Sequence, residues 1–295
     1  MLKTYSGDLD YVRRLMNSFH TFNADSLTLY LVVPRRDRTL FDDFRSETTR
    51  VVCDEDIPVS YASVEEASVE AIGILNAGVS KLGFWKLELC ENYFAIDSDM
   101  VFIRPFGRSD FIGDNGVPYL AVTESLNQRI DPFYFQRYWK HREEALVTVA
   151  ATFGKPNAKL ASIHNSQVLN SQILRHLDVF MVSSEIRGYK DLMSRALYEF
   201  FWYGFWALTQ SEVQVVQREE LVRMIHHQGE HLALWNLGIR QEDLARGYLG
   251  VIVNSNWSRQ YGILDYEHPP AEKYRQIGKW AEWLRGSSKI EDATS

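Results

Sequence analysis

Carboxylates separated by one residue can hold a divalent cation, and this 295-residue chain contains the pattern Asp-x-Asp three times. The triplets begin at Asp8, Asp54 and Asp97. Because aspartate is common, about one such triplet is expected by chance in a domain-sized chain. The spacing alone therefore selects none of them, and the surrounding sequence must decide.

The first two triplets have ordinary structural explanations. Asp8 and Asp10 stand at the predicted start of a helix, where carboxylates cap free N–H groups and complement the helix macrodipole. The second triplet, residues 54–56, follows a predicted strand and leads to Pro58, as a solvated loop does. We therefore discard the first as a catalytic candidate and favour a loop for the second, with ligand contact as the alternative.

Asp97 and Asp99 differ because apolar residues flank them on both sides, at 93–96 and 100–103. Carboxylates so close to a core need a partner, either a cation or N–H donors. Oxygen ligands suit Mg²⁺ or Mn²⁺, which keep some waters and share coordination with substrate phosphates. The third triplet therefore predicts a divalent-metal site.

The elements that must position this triplet alternate between strands and helices. Strands are predicted at residues 2–6, 27–33, 51–53, 93–96, 119–123 and 250–253, and helices at 8–19, 38–46 and 81–91. This alternation predicts an α/β layered sheet whose ligands bind beyond the carboxyl ends of the strands. Asp97 ends the fourth strand, so the triplet falls at that edge. Between residues 124 and about 245 the pattern is mainly helical.

Composition limits the classes of function. A formal charge of −7 and a pI near 5.7 argue against a nucleic-acid partner, which would need a basic face. The two cysteines, Cys53 and Cys90, give no disulfide framework, and we expect reduced, buried thiols. The first residues lack the apolar segment of a signal peptide, and no stretch is apolar enough for a transmembrane helix. We expect a cytoplasmic protein, with peripheral association at the inner membrane face as an alternative.

The sequence around the third triplet resembles a known family. An apolar strand, the triplet and then residues 101–106 (VFIRPF) resemble the DXD element of GT-A glycosyltransferases. Residues 3–9 (KTYSGDL) and 29–34 (LYLVVP) resemble the start of a bacterial family of largely uncharacterised GT-A-like transferases. The resemblance covers residues 1–125 well and only patches beyond them.

That resemblance implies a donor site for a nucleoside diphosphate sugar. Mn²⁺ or Mg²⁺ would be held by Asp99 as the direct ligand, and Asp97 would bind the metal or the donor's ribose. The metal would stabilise the charge that develops on the departing nucleoside diphosphate. The other implied donor contacts are Thr4, Tyr5, Ser6, Lys86 and Ser98. Ordinary strand residues and a solvated helix lysine are the alternatives for Thr4–Ser6 and for Lys86.

A strand near the C-terminus often supplies a further contact in GT-A enzymes, frequently a histidine. Residues 250–257 occupy that place here but offer Asn254 and Asn256, which could coordinate the metal through their side-chain oxygens, and Arg259 could meet a phosphate. His227 and His231 have the i, i+4 spacing of a zinc pair. No third ligand is evident, so we favour a packing or surface role for these histidines.

An aromatic segment supplies the acceptor-side candidates. Residues 198–206 (YEFFWYGFW) contain seven aromatic residues around Glu199, and predict either a buried helix or a face for sugar rings. On the second interpretation Trp202 and Tyr203 bind the acceptor. A matching segment of the resembling family makes Glu199 the candidate general base, with Glu124 as the alternative. Asn165 starts an apparent helix and could bind acceptor hydroxyls or act as a cap.

Together these features predict one GT-A-type catalytic domain over residues 1–265, with a layered α/β/α fold and a mixed, mainly parallel central sheet. Residues 1–125 would bind the nucleotide sugar, 126–265 would form a mainly helical acceptor side, and 266–295 a flexible extension. The hypothesis is a metal-dependent glycosyltransferase acting on a hydroxyl of a glycan or lipid-linked glycan, in bacterial polysaccharide or lipopolysaccharide synthesis.

Three other classes remain as alternatives. A haloacid-dehalogenase-like phosphatase would use Asp97 as nucleophile and Asp99 as acid/base, although its motif normally ends the first strand. A sugar nucleotidyltransferase would need a glycine-rich basic loop, and Gly7 alone does not form one. A non-catalytic carbohydrate-binding protein would use the aromatic segment.

Overall fold

Strands and helices alternate along the chain and form two units. The computed structural model describes residues 1–63, 65, 69–123, 139–158, 162–163 and 166–267. The first unit consists of Met1–Leu9, Asn23–Ser98 and Phe106–Glu220, and the second of Asp10–Phe22, Asp99–Pro105 and the segment that begins at Leu221. Neither unit is therefore a continuous half of the sequence.

The strands are β1 (Leu2–Lys3), β2 (Leu29–Val33), β3 (Thr49–Cys53), β4 (Asn92–Ala95), β5 (Met100–Phe102), β6 (Tyr119–Thr123), β7 (Ser162–Ile163), β8 (Gln167–Asn170), β9 (Val216–Arg218), β10 (Val222–Ile225) and β11 (Gly250–Val253). The helices are α1 (Leu9–Phe22), α2 (Arg38–Phe41), α3 (Val69–Gly83), α4 (Lys140–Thr152), α5 (Ser171–Ser183), α6 (Tyr189–Arg195), α7 (Glu199–Thr209), α8 (Gln228–Asn236), α9 (Gln241–Leu244) and α10 (Ser255–Ser258).

The sheet of the first unit begins with three parallel strands in the order β1-β2-β3. Leucine, tyrosine and valine residues form β2, which lies in the middle and is buried along most of its length. A parallel bridge between Leu2 and Ile96 joins β1 to the end of β4, where the Ile96 N–H donates to the Met1 carbonyl at 3.1 Å. The carboxyl end of β4, and with it Asp97, therefore lies beside the first strand.

Antiparallel strands extend this unit, so the sheet is mixed. β4 pairs with β8 in antiparallel register, and β6 pairs with β7 antiparallel and with β9 parallel. The Gln167 side chain connects β8 to β6, because its amide accepts the Ala121 N–H at 2.9 Å and donates to the Ala121 carbonyl at 2.7 Å. The α/β class and the mixed sheet agree with the sequence prediction. The expectation of a mainly parallel sheet is met in part, because the described strands of this unit form three parallel pairs and two antiparallel pairs.

The aromatic helix α7 forms the centre of the first unit's core. Trp202 and Tyr203 have no exposed surface, and both also satisfy backbone groups. The Trp202 indole N–H donates to the Ala196 carbonyl at 2.9 Å, and the Tyr203 hydroxyl accepts the Asn170 N–H at 3.0 Å. The buried-helix interpretation of residues 198–206 is therefore the one that the structure shows.

The second unit contains its own three-stranded sheet, in the order β10-β11-β5. β10 and β11 are parallel, and β5 runs antiparallel to β11 with Ile252 opposite Met100. The start of β5 and the ends of β10 and β11 therefore meet at one edge. A separate apolar cluster supports this sheet, consisting of Ile103, Ile225, Leu244, Val251, Val253, Trp257, Ile263 and Tyr266.

Two helix predictions were wrong. Residues 81–91 are not one helix, because α3 ends at Gly83, a 3-10 turn covers Phe84–Leu87, and Glu88 adopts a left-handed conformation with φ of 54°. The helix expected to start at Asn165 begins at Ser171 instead, after strand β8. Its cap is Asn170, whose side chain accepts the Gln172 and Ile173 N–H groups.

Other expectations have clear outcomes. Strands β6 and β11 have the predicted bounds, but β7 to β10 interrupt the region predicted to be mainly helical. Cys53 is buried, Cys90 is half-buried, and both thiols are free. Among the described residues, no helix combines the length and apolar character needed to cross a bilayer. The predicted extension from residue 268 onward lies outside the described residues.

Candidate active site

A buried lysine joins two carboxylates in the first unit. The Lys81 ammonium lies 2.7 Å from Asp97 Oδ1 and 2.6 Å from Glu199 Oε1, and its side chain is 4% exposed. Asp97 follows β4, Lys81 lies in the last turn of α3, and Glu199 is the first residue of α7. Three elements thus meet at the carboxyl end of β4.

Close backbone packing brings these elements together. Gly78 lies three residues before Lys81, and a Cβ atom there would lie 2.4 Å from Met193 Cε and 3.3 Å from Glu199 Cβ. Glycine at this position therefore lets α3 approach the start of α7. The Tyr93 hydroxyl of β4 donates to the Lys81 carbonyl at 2.7 Å, which fixes the end of α3 to the strand that leads to Asp97.

The charges suit their positions. Burial alone would lower the pKa of Lys81, but Asp97 and then Glu199 raise it above its ordinary value, so the ammonium stays charged. A cation in the last turn of α3 and an anion in the first turn of α7 each complement the dipole of their helix. A buried ammonium needs hydrogen-bond acceptors of opposite charge, and the two carboxylates supply them.

Both carboxylates keep one oxygen available. Asp97 is 43% exposed at its side chain, whereas Glu199 is 13% exposed. Within the described part of the chain, Lys81 contacts Asp97 Oδ1 and Glu199 Oε1, and neither Asp97 Oδ2 nor Glu199 Oε2 has a hydrogen-bond partner. Asp97 can therefore bind a cation or a donor hydroxyl, and Glu199 can accept a proton from a hydroxyl that reaches it.

Ser98 contacts an aspartate that the sequence analysis discarded. The Ser98 hydroxyl is buried and donates to Asp8 Oδ2 at 2.8 Å. Asp8 thus supports the loop that carries the third triplet, rather than serving only the start of a helix. Its place in the first Asp-x-Asp triplet was the available signal, but 90 residues separate it from Ser98.

Asp99 belongs to the second unit and contacts the end of β11 there. Its Oδ2 accepts the Ser255 N–H at 2.8 Å. The contact follows from the sheet register, because Asp99 directly precedes β5 and Ser255 follows β11 by two residues. The structure therefore brings Asp99 into contact with Ser255, which lies between the two asparagines that were predicted as further ligands.

The asparagines of this segment have local roles. The Asn254 side-chain oxygen accepts the Asn256 N–H at 2.9 Å and so caps α10. Asn256 is exposed, and the exposed Arg259 lies over the Tyr11 ring with its guanidinium 5.3 Å from the ring centre. Metal coordination by Asn254 and Asn256, and a phosphate contact by Arg259, remain predictions.

The histidines of the second unit are built into its packing. His227 Nδ1 accepts the Glu230 N–H at 3.2 Å, and His231 is fully buried among the rings of Trp235, Trp257 and Tyr266. His226 directly follows β10 and is 6% exposed. The packing role favoured by the sequence analysis agrees with these contacts.

The buried imidazole of His231 predicts an acid-sensitive fold. Burial lowers the pKa of His231 from 6.5 to about 4, against a smaller opposing effect of its hydrogen bond to the Tyr266 carbonyl. The unfolded chain therefore binds the proton more tightly, so the stability contributed by His231 is complete above about pH 6.5 and falls as the pH decreases toward 4. We expect the free energy of unfolding to fall by up to about 3 kcal/mol across this window.

Urea unfolding at several pH values measures this effect. His231→Gln does not titrate and should show a flatter dependence between pH 6.5 and 4. Equal slopes for the two proteins would contradict a role for His231.

The donor residues predicted at the end of β1 differ in exposure. Thr4 is buried, and its Oγ1 lacks a hydrogen-bond partner among the described residues. Tyr5 is 44% exposed, and its ring lies over Gly7, where a Cβ atom would come within 2.5 Å of it. The Ser6 N–H donates to Asp37 at 2.9 Å. An exposed aromatic ring therefore stands at the edge of the sheet expected to meet a nucleoside.

Lys86 does not contact the triplet. Its ammonium binds Asp178 at 2.9 Å and lies 5.3 Å from the centre of the Trp85 ring. The lysine at Asp97 is Lys81, which the sequence analysis missed. A signal was present, because Lys81 is the only charged residue in the apolar stretch 71–85.

The acceptor-side candidates require a correction. Trp202 and Tyr203 are in the core without exposed surface, so they cannot form a face for sugar rings. The same burial removes the basis for a carbohydrate-binding protein that uses this segment. Glu124 and Asn165 lie outside the described residues and stay predictions, which leaves Glu199 as the described acceptor-side candidate.

The oxygen atoms of Asp97 and Asp99 are of the type that binds a hard divalent cation. Among the described residues, no group of three or more His, Cys, Asp or Glu side chains is placed to hold a metal. Carboxylate oxygens are nonetheless the ligands that Mg²⁺ and Mn²⁺ prefer, and such ions take remaining ligands from water and substrate phosphates. Asp97 and Asp99 have side chains of this donor type, and metal binding by them remains a prediction.

Comparisons with known proteins give distant structural similarity. No family model and no curated protein sequence matches the chain. Mouse xyloside xylosyltransferase 1 in its apo form has a TM-score of 0.48 at 12% identity, covering 86% of this chain and 96% of that chain. An active-site mutant of LgtC has a TM-score of 0.43 at 11% identity, with 85% of each chain covered.

The galactosyltransferase LgtC in complex with donor and acceptor sugar analogs has a TM-score of 0.40 at 10% identity, again covering 85% of each chain. These TM-scores lie below 0.5, and they support no conclusion about the fold or the function of this chain.

Proposed function

We propose that the chain is a metal-dependent glycosyltransferase of the GT-A type, which moves a sugar from a nucleoside diphosphate sugar to a hydroxyl acceptor. The observation that carries the proposal is the pair of carboxylates on Lys81, one of them half-exposed at the carboxyl end of β4. One carboxylate would serve the donor and the other the acceptor, which are the two substrates of a sugar transfer.

On the donor side, Asp97 and Asp99 would hold Mn²⁺ or Mg²⁺ with the diphosphate. When bound, the cation would supply positive charge to the departing diphosphate. Ser98, tied to Asp8, fixes the loop between the two aspartates. Thr4, Tyr5 and Ser6 would meet the nucleoside, with the exposed Tyr5 ring as the stacking surface, and Arg259 would contact a phosphate.

On the acceptor side, Glu199 would accept the proton of the attacking hydroxyl. Its Oε1 is held by Lys81, which leaves Oε2 for the acceptor. The acceptor is proposed to be a glycan or lipid-linked glycan of a bacterial surface polysaccharide, made at the inner membrane face. This part of the proposal rests on the resemblance of the sequence alone.

Turnover of nucleotide sugars tests the proposal. We expect purified protein to release a nucleoside diphosphate from at least one of a panel of nucleotide sugars, with water as the acceptor. EDTA should stop the release and Mn²⁺ should restore it, because the diphosphate and the cation bind together. Release of inorganic phosphate with a phosphorylated Asp97 would instead support the phosphatase alternative. No release from any nucleotide sugar, or release that EDTA does not reduce, would contradict the proposal.

A further inference from the structure

The contacts of Lys81 go beyond the need to neutralise one buried charge. The Lys81 ammonium binds one oxygen of Asp97 and one of Glu199, at 2.7 and 2.6 Å, and also lies 5.0 Å from the centre of the Phe200 ring. An aromatic ring at this distance attracts the ammonium through a cation–π interaction. The ammonium is therefore held from several directions, and it can fix the two carboxylates relative to each other.

We infer that Lys81 is a positioning residue for transfer, which orients Glu199 toward the acceptor by binding one of its oxygens and anchors that oxygen to Asp97. This inference rests on the proposed function, in which Asp97 serves the donor and Glu199 the acceptor. Lys81 need not touch either substrate. It sets the distance between the donor-side carboxylate of Asp97 and the acceptor-side carboxylate of Glu199, since both bind the same nitrogen.

Two features of the chain support positioning over simple charge balance. Tyr93 binds the carbonyl of Lys81 and thereby ties the lysine backbone to the strand that ends at Asp97. Gly78 allows the helix of Lys81 to approach Glu199 Cβ, and a larger residue there would move Glu199 or Met193. The backbone of Lys81 is thus tied to the strand that leads to Asp97, and the ammonium itself is held by the two carboxylates.

Each of the two carboxylates has one oxygen that binds Lys81 and one that does not. Lys81 uses Asp97 Oδ1 and Glu199 Oε1, and the opposite oxygens of both residues stay available within the described part of the chain. Loss of Lys81 would leave Asp97 Oδ2 able to bind a cation, but would release Glu199 to rotate. We therefore expect its removal to affect the turnover number much more than donor binding.

A double-mutant cycle tests this inference on the nucleotide sugar that the wild type hydrolyses. Lys81→Met should lower kcat about 100-fold, the size expected for a reacting group displaced by about 1 Å, and should change KM for the donor less than about threefold. Because Lys81 acts through Glu199, the double variant Lys81→Met/Glu199→Gln should have a kcat within about threefold of Glu199→Gln alone.

Lys86→Met is the matched control for the cycle. Lys86 also forms an ion pair, but with Asp178, and makes no hydrogen bond to Asp97 or Glu199. Its effect should multiply with that of Glu199→Gln. The variant Lys81→Arg keeps the buried charge and therefore controls for a folding defect. It should retain Mn²⁺-dependent diphosphate binding. Its kcat should fall about tenfold, because a planar guanidinium cannot reproduce the ammonium contacts.

The outcomes separate the two hypotheses. If the wild type releases no diphosphate from any nucleotide sugar, the proposed function and the inference both fail. If the wild type is active but Lys81→Met and Glu199→Gln have multiplicative effects, only the inference fails. A rise in donor KM without a fall in kcat would also overturn it, because Lys81 would then bind the donor. Counting active protein by the stoichiometry of diphosphate binding removes losses that come from unfolding.

Discussion

Asp99→Ala is expected to abolish the Mn²⁺-dependent part of nucleoside diphosphate binding, with a loss of affinity of at least about 100-fold. Partners that only orient a metal ligand typically change affinity 10- to 100-fold, so loss of a direct ligand should exceed that range. Alanine also removes the acceptor of the Ser255 N–H, which loosens the end of β11. Isothermal titration calorimetry with and without Mn²⁺ measures the change.

Asp99→Asn separates charge from structure in the same experiment. Asparagine can still accept the Ser255 N–H but has no negative charge, so it should keep the fold and lose most of the metal effect. Asp10→Asn and Asp56→Asn are matched controls from the other two triplets, because both side chains are exposed and pair only with nearby arginines. Wild-type affinity in Asp99→Asn would show that Asp99 is not a metal ligand.

Glu199→Gln is expected to lower kcat by about 10² to 10⁴-fold, the range for removal of a general base. Glutamine has nearly the same shape but cannot accept the proton of an acceptor hydroxyl. Binding of Mn²⁺ and diphosphate should change little, because Asp97 and Asp99 are untouched. Initial rates of diphosphate release and calorimetric titration of the same preparation give the two quantities.

Glu144→Gln on α4 controls for the chemistry of the substitution, since Glu144 is 62% exposed and, among the described residues, pairs with His141. A Glu199→Gln protein with a normal kcat would remove Glu199 from the reaction and return attention to Glu124.

Three strands were predictable because their sequences are continuous and apolar, whereas β5, which directly follows Asp99, was not predicted. β6 and β11 have the predicted bounds, and β4 is displaced by a single residue. A β-strand that is buried on both faces favours such continuous runs of β-branched and aromatic residues. Asp97 therefore lies at the end of its strand, as the pattern indicated.

The helix boundaries failed where local signals conflicted. Leu82, Trp85 and Leu89 recur at helical spacing, but Gly83 ends α3 and the chain turns through Glu88 in a left-handed conformation. Asparagine is a common helix cap, and both Asn165 and Asn170 are asparagines. The helix begins after Asn170, because the residues up to Asn170 pair with β4 as strand β8. Periodicity alone does not carry that information.

The site contacts show a second limit of the sequence. Lys81 and Glu199 are 118 residues apart, and nothing local indicates that they touch. The isolated charge of Lys81 in an apolar stretch could have marked it as a buried ion-pair partner, but not named the other member. The aromatic segment misled in the opposite direction, because the same residues suit a sugar-binding face and a core.

The central claim is that a metal and a diphosphate bind together at the third triplet. Titration of a nucleoside diphosphate panel into the wild-type protein, once in EDTA and once in Mn²⁺, tests it most directly. We predict that at least one diphosphate binds at least about tenfold more tightly in Mn²⁺, a difference of about 1.4 kcal/mol. Equal affinities in EDTA and Mn²⁺ for every diphosphate would contradict the account.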